Sequence, residues 1–231
     1  MKIGIVNAGR IGGTLSRLWA AAGHELFLSR DGDPASLDPI LKDIGEHAQA
    51  GTLADAASFS DVLLFSVYWG RAQDVLRQLG PLDGKVVLES VNPVLIDAKS
   101  REHSHDHAFM ATNRSTSEWL QERAPNAQIV KAFNTLPSEL LDARVWPKDE
   151  RPTIMFAGGD SRAKRIAAQL IEDAGFPPID VGPLEAARQL EQLGLLFHHV
   201  VTERDESEPF RVFTLAPAPD GTFEGFADEE G

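Results

Sequence analysis

The first thirty residues constrain the fold more than any other part of the chain. Lys2 to Val6 is a short apolar run (Ile3, Ile5, Val6) of strand character. The turn Asn7-Ala8-Gly9-Arg10-Ile11-Gly12 follows at once. A helical stretch from Thr14 to Ala22 is stopped by Gly23, and a second strand, His24 to Leu28, ends in Ser29-Arg30. Strand, glycine turn, helix, strand is the opening of a dinucleotide-binding fold. Its turn lets backbone approach a pyrophosphate, and its helix N-terminus faces that charge.

The usual fingerprint is GxGxxG, and its three positions here are Asn7, Gly9 and Gly12. Gly9 allows close approach to phosphate, and Gly12 allows close packing of helix on sheet. Asn7 is a departure, although asparagine tolerates a left-handed backbone better than most residues. The expected phosphate contacts are Asn7, Ala8, Gly9, Arg10 and Ile11. Sites for NAD carry a carboxylate about 20 residues further on, to bind the ribose 2′-hydroxyl. Here that place holds Ser29 and Arg30. A guanidinium pairs with a 2′-phosphate and a hydroxyl adds a donor, which favours NADP(H). Asp31 and Asp33 follow closely and work against it.

Further strands are expected at 2–7, 24–29, 50–53, 61–67, 85–90, 128–132, 152–157 and 177–181, and helices at 10–22, 36–48, 69–79, 115–124, 138–143, 160–174 and 184–202. Runs such as Val62-Leu63-Leu64-Phe65 suit parallel strands buried on both faces. Alternating elements predict an α/β fold, a doubly wound parallel Rossmann sheet with a small helical C-terminal part. The expected division is 1–182 for the NADP(H)-binding domain, 183–217 for the helical part with an edge strand over 210–215, and 218–231 for an acidic, loosely held tail. Residues 91–114 show no clear pattern.

The 231 residues contain no cysteine, which excludes thiol catalysis and thiolate metal sites. The net charge of -13 argues against nucleic-acid or anionic-membrane partners. No leader is expected before residue 2, and no apolar run is long enough to span a membrane. A cytoplasmic location is the expectation.

Several segments taken together resemble the F420-dependent NADP oxidoreductase family, the NADPH-dependent coenzyme F420 reductases and their relatives. They are GRIGGTLSRLWAAAGHEL (9–26), LSR (28–30), DVLLFSVYWGRAQDVL (61–76), GKVVLESVNP (84–93), STSEWLQERAPNAQIVKAFNTL (115–136), AGGDSRAKRIAAQLIEDAGFPPIDVG (157–182) and LEAARQLEQLG (184–194). The resemblance covers residues 1–200. It implies a Rossmann domain that carries NADP(H), a small helical part, direct hydride transfer to a deazaflavin (F420) or flavin ring, and a homodimer. The sequence departs from the family's pattern at Asn7, at Tyr68, where a proline is common, and after Arg30, where Pro34, Ala35 and Ser36 offer no second basic residue.

Ligands of open α/β sheets bind outside the carboxyl ends of the strands. Ser66, Val67 and Tyr68 are expected beside the nicotinamide. Asn92 and Asn134 are expected either to fix polar groups of coenzyme or acceptor, or to cap strand ends. Hydride transfer needs stacking and water exclusion more than an acid or base, so this reading requires no catalytic acid, base or nucleophile from the chain. If the acceptor were a small carbonyl, imine or quinone, Tyr68 is the candidate proton donor, with His198 or His199 behind it. A non-catalytic NADP(H)-binding module is the third reading, kept open by Asn7. His103, His105 and His107 alternate and read as a solvated loop or a lid, and no metal is expected. Arg188, on a helix with Leu184, Ala187, Leu190, Leu193, Leu196 and Phe197 at helical spacing, is expected to pair with Glu191 or Glu185 or to structure the cleft.

Overall fold

The computed structural model describes residues 1–31 and 34–203. The chain opens as expected, with β1 (Lys2–Val6), α1 (Arg10–Ala21) and β2 (Glu25–Ser29). Then come α2 (Asp38–Ile44), β3 (Ala48–Gly51), α3 (Leu53–Phe59), β4 (Val62–Phe65), α4 (Ala72–Leu79) and β5 (Val86–Glu89). A hairpin of β6 (Val94–Ile96) and β7 (His103–His105) leads to α5 (His107–Met110), α6 (Thr116–Arg123) and β8 (Gln128–Lys131). The last described elements are β9 (Ile154–Gly158), α7 (Ser161–Asp173), β10 (Pro178–Asp180) and α8 (Ala187–Glu203).

Eight strands form one sheet in the order β10-β9-β8-β5-β4-β1-β2-β3. From β3 to β8 every neighbouring pair is parallel. The chain runs outward from β1 to β3 and then returns to β4, so the topological switch lies between β1 and β4, where ligands of such sheets bind. Side chains alternate across the sheet. Ile3, Ile5 and Leu64 join Leu15 and Trp19 of α1 and Leu170 of α7 on one face. Val6, Leu63 and Phe65 join Val75 of α4 and Leu120 of α6 on the other. Trp19 is fully buried, and its Nε1 donates to the Leu170 carbonyl at 2.8 Å, which locks α1 to α7. The Asp160 carboxylate accepts from the Ala163 amide at 2.7 Å, and Gly175, at φ +90°, follows the end of α7. These residues bound a helix close to the one expected over 160–174.

The structure corrects several expectations. The β9–β10 pair runs antiparallel to β8, so the sheet is mostly rather than wholly parallel. The strand expected at 50–53 ends at Gly51, because Thr52 and Asp55 cap each other and start α3. The helix expected over 36–48 is divided, α2 ending before Gly45 at φ +69°. No helix forms over 138–143. Leu140 and Leu141 bond back to Pro137, and Asp142 then caps a single 3-10 turn, Ala143–Val145. The patternless stretch 91–114 holds the β6–β7 hairpin and α5. The strand over 210–215, the tail 218–231 and Asp33 lie outside the described residues.

Candidate functional site

The switch between β1 and β4 is bridged by a side chain. Asn7 sits at φ +67°, the left-handed conformation the turn requires, and its Nδ2 donates to the Ser66 carbonyl at 2.9 Å. The departure at this position therefore preserves the turn and ties the ends of β1 and β4 together. Ala8 is fully buried, with its amide bonded to the Ser29 carbonyl at 2.8 Å, so it supports the turn and faces no ligand. Gly9 is the N-cap of α1 and offers no side-chain cap, which leaves the first-turn amides of Arg10, Ile11 and Gly12 to outside partners. A Cβ at Gly9 would meet nothing nearer than 3.7 Å, so the fold does not demand glycine there and the space above it is open. A Cβ at Gly12 would lie 2.9 Å from the Asn7 carbonyl oxygen. That glycine is required for α1 to pack on the turn. The Arg10 side chain points outward and meets Glu139 at 3.5 Å.

At the end of β2 the two expected donors separate. Ser29 is fully buried and its Oγ donates to the Ile5 carbonyl at 2.8 Å. Its only hydroxyl proton is committed to the sheet, which corrects the expectation that it serves a phosphate. Arg30 is half-buried, donates from Nη1 to the Ser36 carbonyl at 3.4 Å, and makes no ion pair among the described residues.

After β4, Ser66 is half-buried and Val67 buried, whereas Tyr68 is 54% exposed. Trp69 turns inward. Its ring lies 4.4 Å from Phe109 and 5.0 Å from Trp119 between centroids, and its Nε1 donates to Asp106 at 2.9 Å. It packs the hairpin segment onto α6, while Tyr68 stays exposed beyond the carboxyl end of β4.

Asn92 and Asn134 come together, but not as open ligand groups. Asn134 Nδ2 donates to Asn92 Oδ1 at 2.9 Å and to the Leu190 carbonyl of α8 at 2.9 Å, and Asn92 Nδ2 donates to the Asn134 carbonyl at 2.8 Å. Helix α8 lies on this pair, since a Cβ at Gly194 would be 2.7 Å from Asn92 Nδ2. Of the two alternatives read from sequence, strand-end capping is the one seen. Two buried acceptors remain without partners among the described residues, Asn134 Oδ1 and Ser90 Oγ, and the adjacent Phe133 is fully buried at φ +63°. Unpaired buried oxygens and left-handed non-glycine backbone are costly, and both cluster at the carboxyl ends of β5 and β8.

Beneath α8 lies a buried ionic cluster that the sequence did not disclose. Lys131 is fully buried and its Nζ reaches Glu89 at 2.9 Å, Glu191 at 2.7 Å, Thr116 Oγ1 at 2.9 Å and the Val91 carbonyl. Thr116 donates to Glu191 from its amide at 2.7 Å, and Ser117 donates to Glu89. Burial disfavours the ammonium, but the Glu191 and Glu89 carboxylates outweigh it and raise the Lys131 pKa. Burial and the Glu89 charge together raise that of Glu191. The lone signal in the sequence was a lysine and a glutamate each closing an apolar strand run. Arg188 departs from expectation too. It pairs with Glu118 of α6 through Nε at 2.8 Å and Nη2 at 2.5 Å, and so fixes α8 to α6.

The histidines gather across elements. His103 Nδ1 lies 3.1 Å from His198 Nε2, and His105 Nε2 lies 3.3 Å from His198 Nδ1, so a ring of α8 is held between two rings of the hairpin. Only one of His198 and His199 turns inward, as the helical spacing requires; His199 is exposed. The two contacts use opposite nitrogens of His198, and among the described residues no group of three or more such side chains is placed to hold a metal ion. Nor is any described helix long and apolar enough to cross a membrane.

Comparison with known proteins agrees with the fold. The chain is 24% identical over 196 residues to metalloreductase STEAP3 of Rattus norvegicus, covering 84% of this chain and 36% of that protein. It is 24% identical over 223 residues to metalloreductase STEAP2 of Homo sapiens, covering 95% and 38%. The chain thus spans little more than a third of the length of these curated relatives. Among solved structures, the hypothetical protein SMa0349 of Sinorhizobium meliloti superposes with a TM-score of 0.70 at 27% identity, over 94% of this chain and 96% of that one. A protein of Arthrobacter sp. FB24 described as an F420-dependent NADP-reductase superposes with a TM-score of 0.75 at 23% identity, over 87% and 94%. Residues 2–93, which include the turn, Arg30, Tyr68 and Asn92, match the family described as NADP oxidoreductase, coenzyme F420-dependent.

Proposed function

We propose that this chain is an NADP(H)-dependent oxidoreductase that exchanges hydride with a redox-active small molecule, of which the deazaflavin ring of F420 or a flavin is the best fit. The observation that carries the reading is the uncapped N-terminus of α1 beside an open Gly9, with Arg30 free of any carboxylate partner among the described residues. The amides of Arg10, Ile11 and Gly12 would hold the pyrophosphate, aided by the helix dipole. Arg30 would hold the 2′-phosphate. Bound coenzyme supplies the hydride. Val67 and Tyr68 wall the nicotinamide end, and the hairpin and α8 close the far side against water. The acceptor ring would take the hydride from the coenzyme and one proton from solvent, so no residue here must supply a nucleophile. The family match and the metalloreductase relatives support a hydride-transfer role. The acceptor, a homodimer and a cytoplasmic location are part of the proposal.

The test is calorimetric binding of NADPH and NADH to the wild type and to Arg30→Ala, with F420 absorbance followed after mixing with NADPH. Loss of Arg30 is expected to cost about 1.5–3 kcal/mol for NADPH alone. Equal weakening of both coenzymes removes the 2′-phosphate assignment, and unchanged F420 absorbance removes the deazaflavin.

A second reading, reduction of a small carbonyl, imine or quinone, is favoured by one observation. Tyr68, the only tyrosine of the chain, stands 54% exposed beyond the carboxyl end of β4. Tyr68→Phe separates the two. A proton donor is worth roughly 10²–10⁴-fold in rate, whereas ring-to-ring hydride transfer is indifferent to the hydroxyl.

A further inference from the structure

Asp31 follows Arg30 directly, and an unpaired carboxylate there would repel the phosphate that Arg30 is read to receive. The structure resolves this conflict from across the sheet. Arg71, which closes the 3-10 turn Trp69–Arg71 after β4, donates from Nε to Asp31 Oδ2 at 2.9 Å. Strand β1 lies between β2 and β4, so this bond spans the switch point above its end. The Nη1 of Arg71 also reaches Asp74 at 2.9 Å, but Asp74 has a cation of its own in Arg77, at 3.1 Å. The Arg71 side chain is 52% exposed, so the guanidinium remains open to a ligand while it holds Asp31. The hydrogen bond and charge of Asp31 raise its pKa further, and it stays a cation at any working pH.

A ribose 2′-phosphate carries close to two negative charges, more than one guanidinium neutralises. The chain has no second basic residue among Pro34, Ala35 and Ser36. With Arg71 present, Arg30, Asp31 and Arg71 carry one net positive charge. Without it they carry none, and the Asp31 carboxylate is unmasked.

We propose that Arg71 is a coenzyme-specificity residue, which neutralises Asp31 and brings a second guanidinium to the ribose 2′-phosphate from the opposite side of the switch point. This rests on the reading that the chain binds NADP(H) at the N-terminus of α1. It assigns the selectivity between NADP(H) and NAD(H) to a three-residue set, Arg30, Asp31 and Arg71, whose last member is contributed by the turn before α4.

The experiment is calorimetry on the full chain with NADPH, NADH and 2′-AMP, using wild type, Arg71→Ala, Asp31→Asn and the double variant. Arg71→Ala is expected to weaken NADPH and 2′-AMP about tenfold or more, the size of one charge-assisted hydrogen bond, while NADH affinity holds. Asp31→Asn in the Arg71→Ala background is expected to recover part of that loss, because the unmasked carboxylate is gone. Equal weakening of NADPH and NADH by Arg71→Ala overturns the proposal, as does a double variant no better than Arg71→Ala. A wild type that binds neither coenzyme ends the NADP(H) reading and this inference together. A wild type that prefers NADPH through Arg30, with Arg71→Ala unchanged, ends this inference alone. Arg71 is half exposed, Arg30 and Asp31 are partly buried, and thermal melts of each variant separate unfolding from lost affinity.

Discussion

Asn7 Nδ2 donates to the carbonyl oxygen of Ser66 at 2.9 Å, joining the ends of β1 and β4 across the gap between them. An asparagine at φ +67° where a glycine is usual is thereby turned into a strut. Asn7→Ala loses the bond and keeps a Cβ in left-handed backbone, and is expected to cost about 1–2 kcal/mol. Asn7→Gly loses the bond but relieves the backbone, and is expected near neutrality. Urea denaturation of both variants decides. Equal losses would show that the backbone conformation carries no cost here.

The buried cluster under α8 gives a second prediction. Lys131→Met leaves the Glu89 and Glu191 carboxylates buried without their cation and is expected to destabilise by about 3–5 kcal/mol. Adding Glu191→Gln should recover a substantial part, since it removes one uncompensated charge and keeps an acceptor for Thr116. Chemical denaturation of the single and double variants measures this. A double variant as unstable as the single one would mean that packing around the lysine stem, not charge, dominates.

Gly194→Ala places a methyl group 2.7–2.8 Å from the Asn92 amide and the Asn134 carbonyl. The helix must lift, at an expected cost of about 1–3 kcal/mol. Amide hydrogen exchange should quicken in α8 while protection in the central strands holds. Unchanged α8 protection would show that the two asparagines yield instead.

Acid should act first where α8 meets the hairpin. Burial, together with the neighbouring rings of His107 and His199, lowers the His105 pKa. Burial and the rings of His103, His105 and His199 lower that of His198. For a histidine whose folded pKa is depressed, the unfolded state binds more protons between the two values. The stability is therefore complete above about pH 6.5 and declines as pH falls below it. Hydrogen exchange of the hairpin from neutral to mildly acidic pH should show this loss, and His198→Gln should flatten it. A flat profile in the wild type would mean that the rings separate on protonation without consequence.

Much of the frame was legible because local chemistry and tertiary need coincide. The α1 and α7 helices, with Gly9 and Asp160 at their starts, and the apolar strands β4, β5 and β9 follow directly from periodicity and caps. The short β6–β7 hairpin escaped because its strands, Val94–Ile96 and His103–His105, are three residues each, too short for a pattern to set them apart from loop. The α3 helix escaped because its start is a Thr52–Asp55 capping pair, read as the end of a strand. At the proposed site, the place of Arg30 after β2 was legible, and its service to a phosphate is part of the proposal. The uses of Ser29, Asn92 and Asn134 were not, since each depends on a partner brought near by the fold: Ile5, Leu190 and one another. Likewise Lys131 sits 42 positions from Glu89 and 60 from Glu191, and Arg71 sits 40 from Asp31, distances at which no spacing rule operates.

The solitary tyrosine of the chain stands at the mouth of the proposed site, beside a tryptophan that is packed away. Biosynthetic replacement of tyrosine by a fluorinated analogue would therefore mark one known position with a single spectroscopic label. Its resonance would register the arrival of coenzyme, and separately of a hydride acceptor, without any cysteine chemistry or engineered tag.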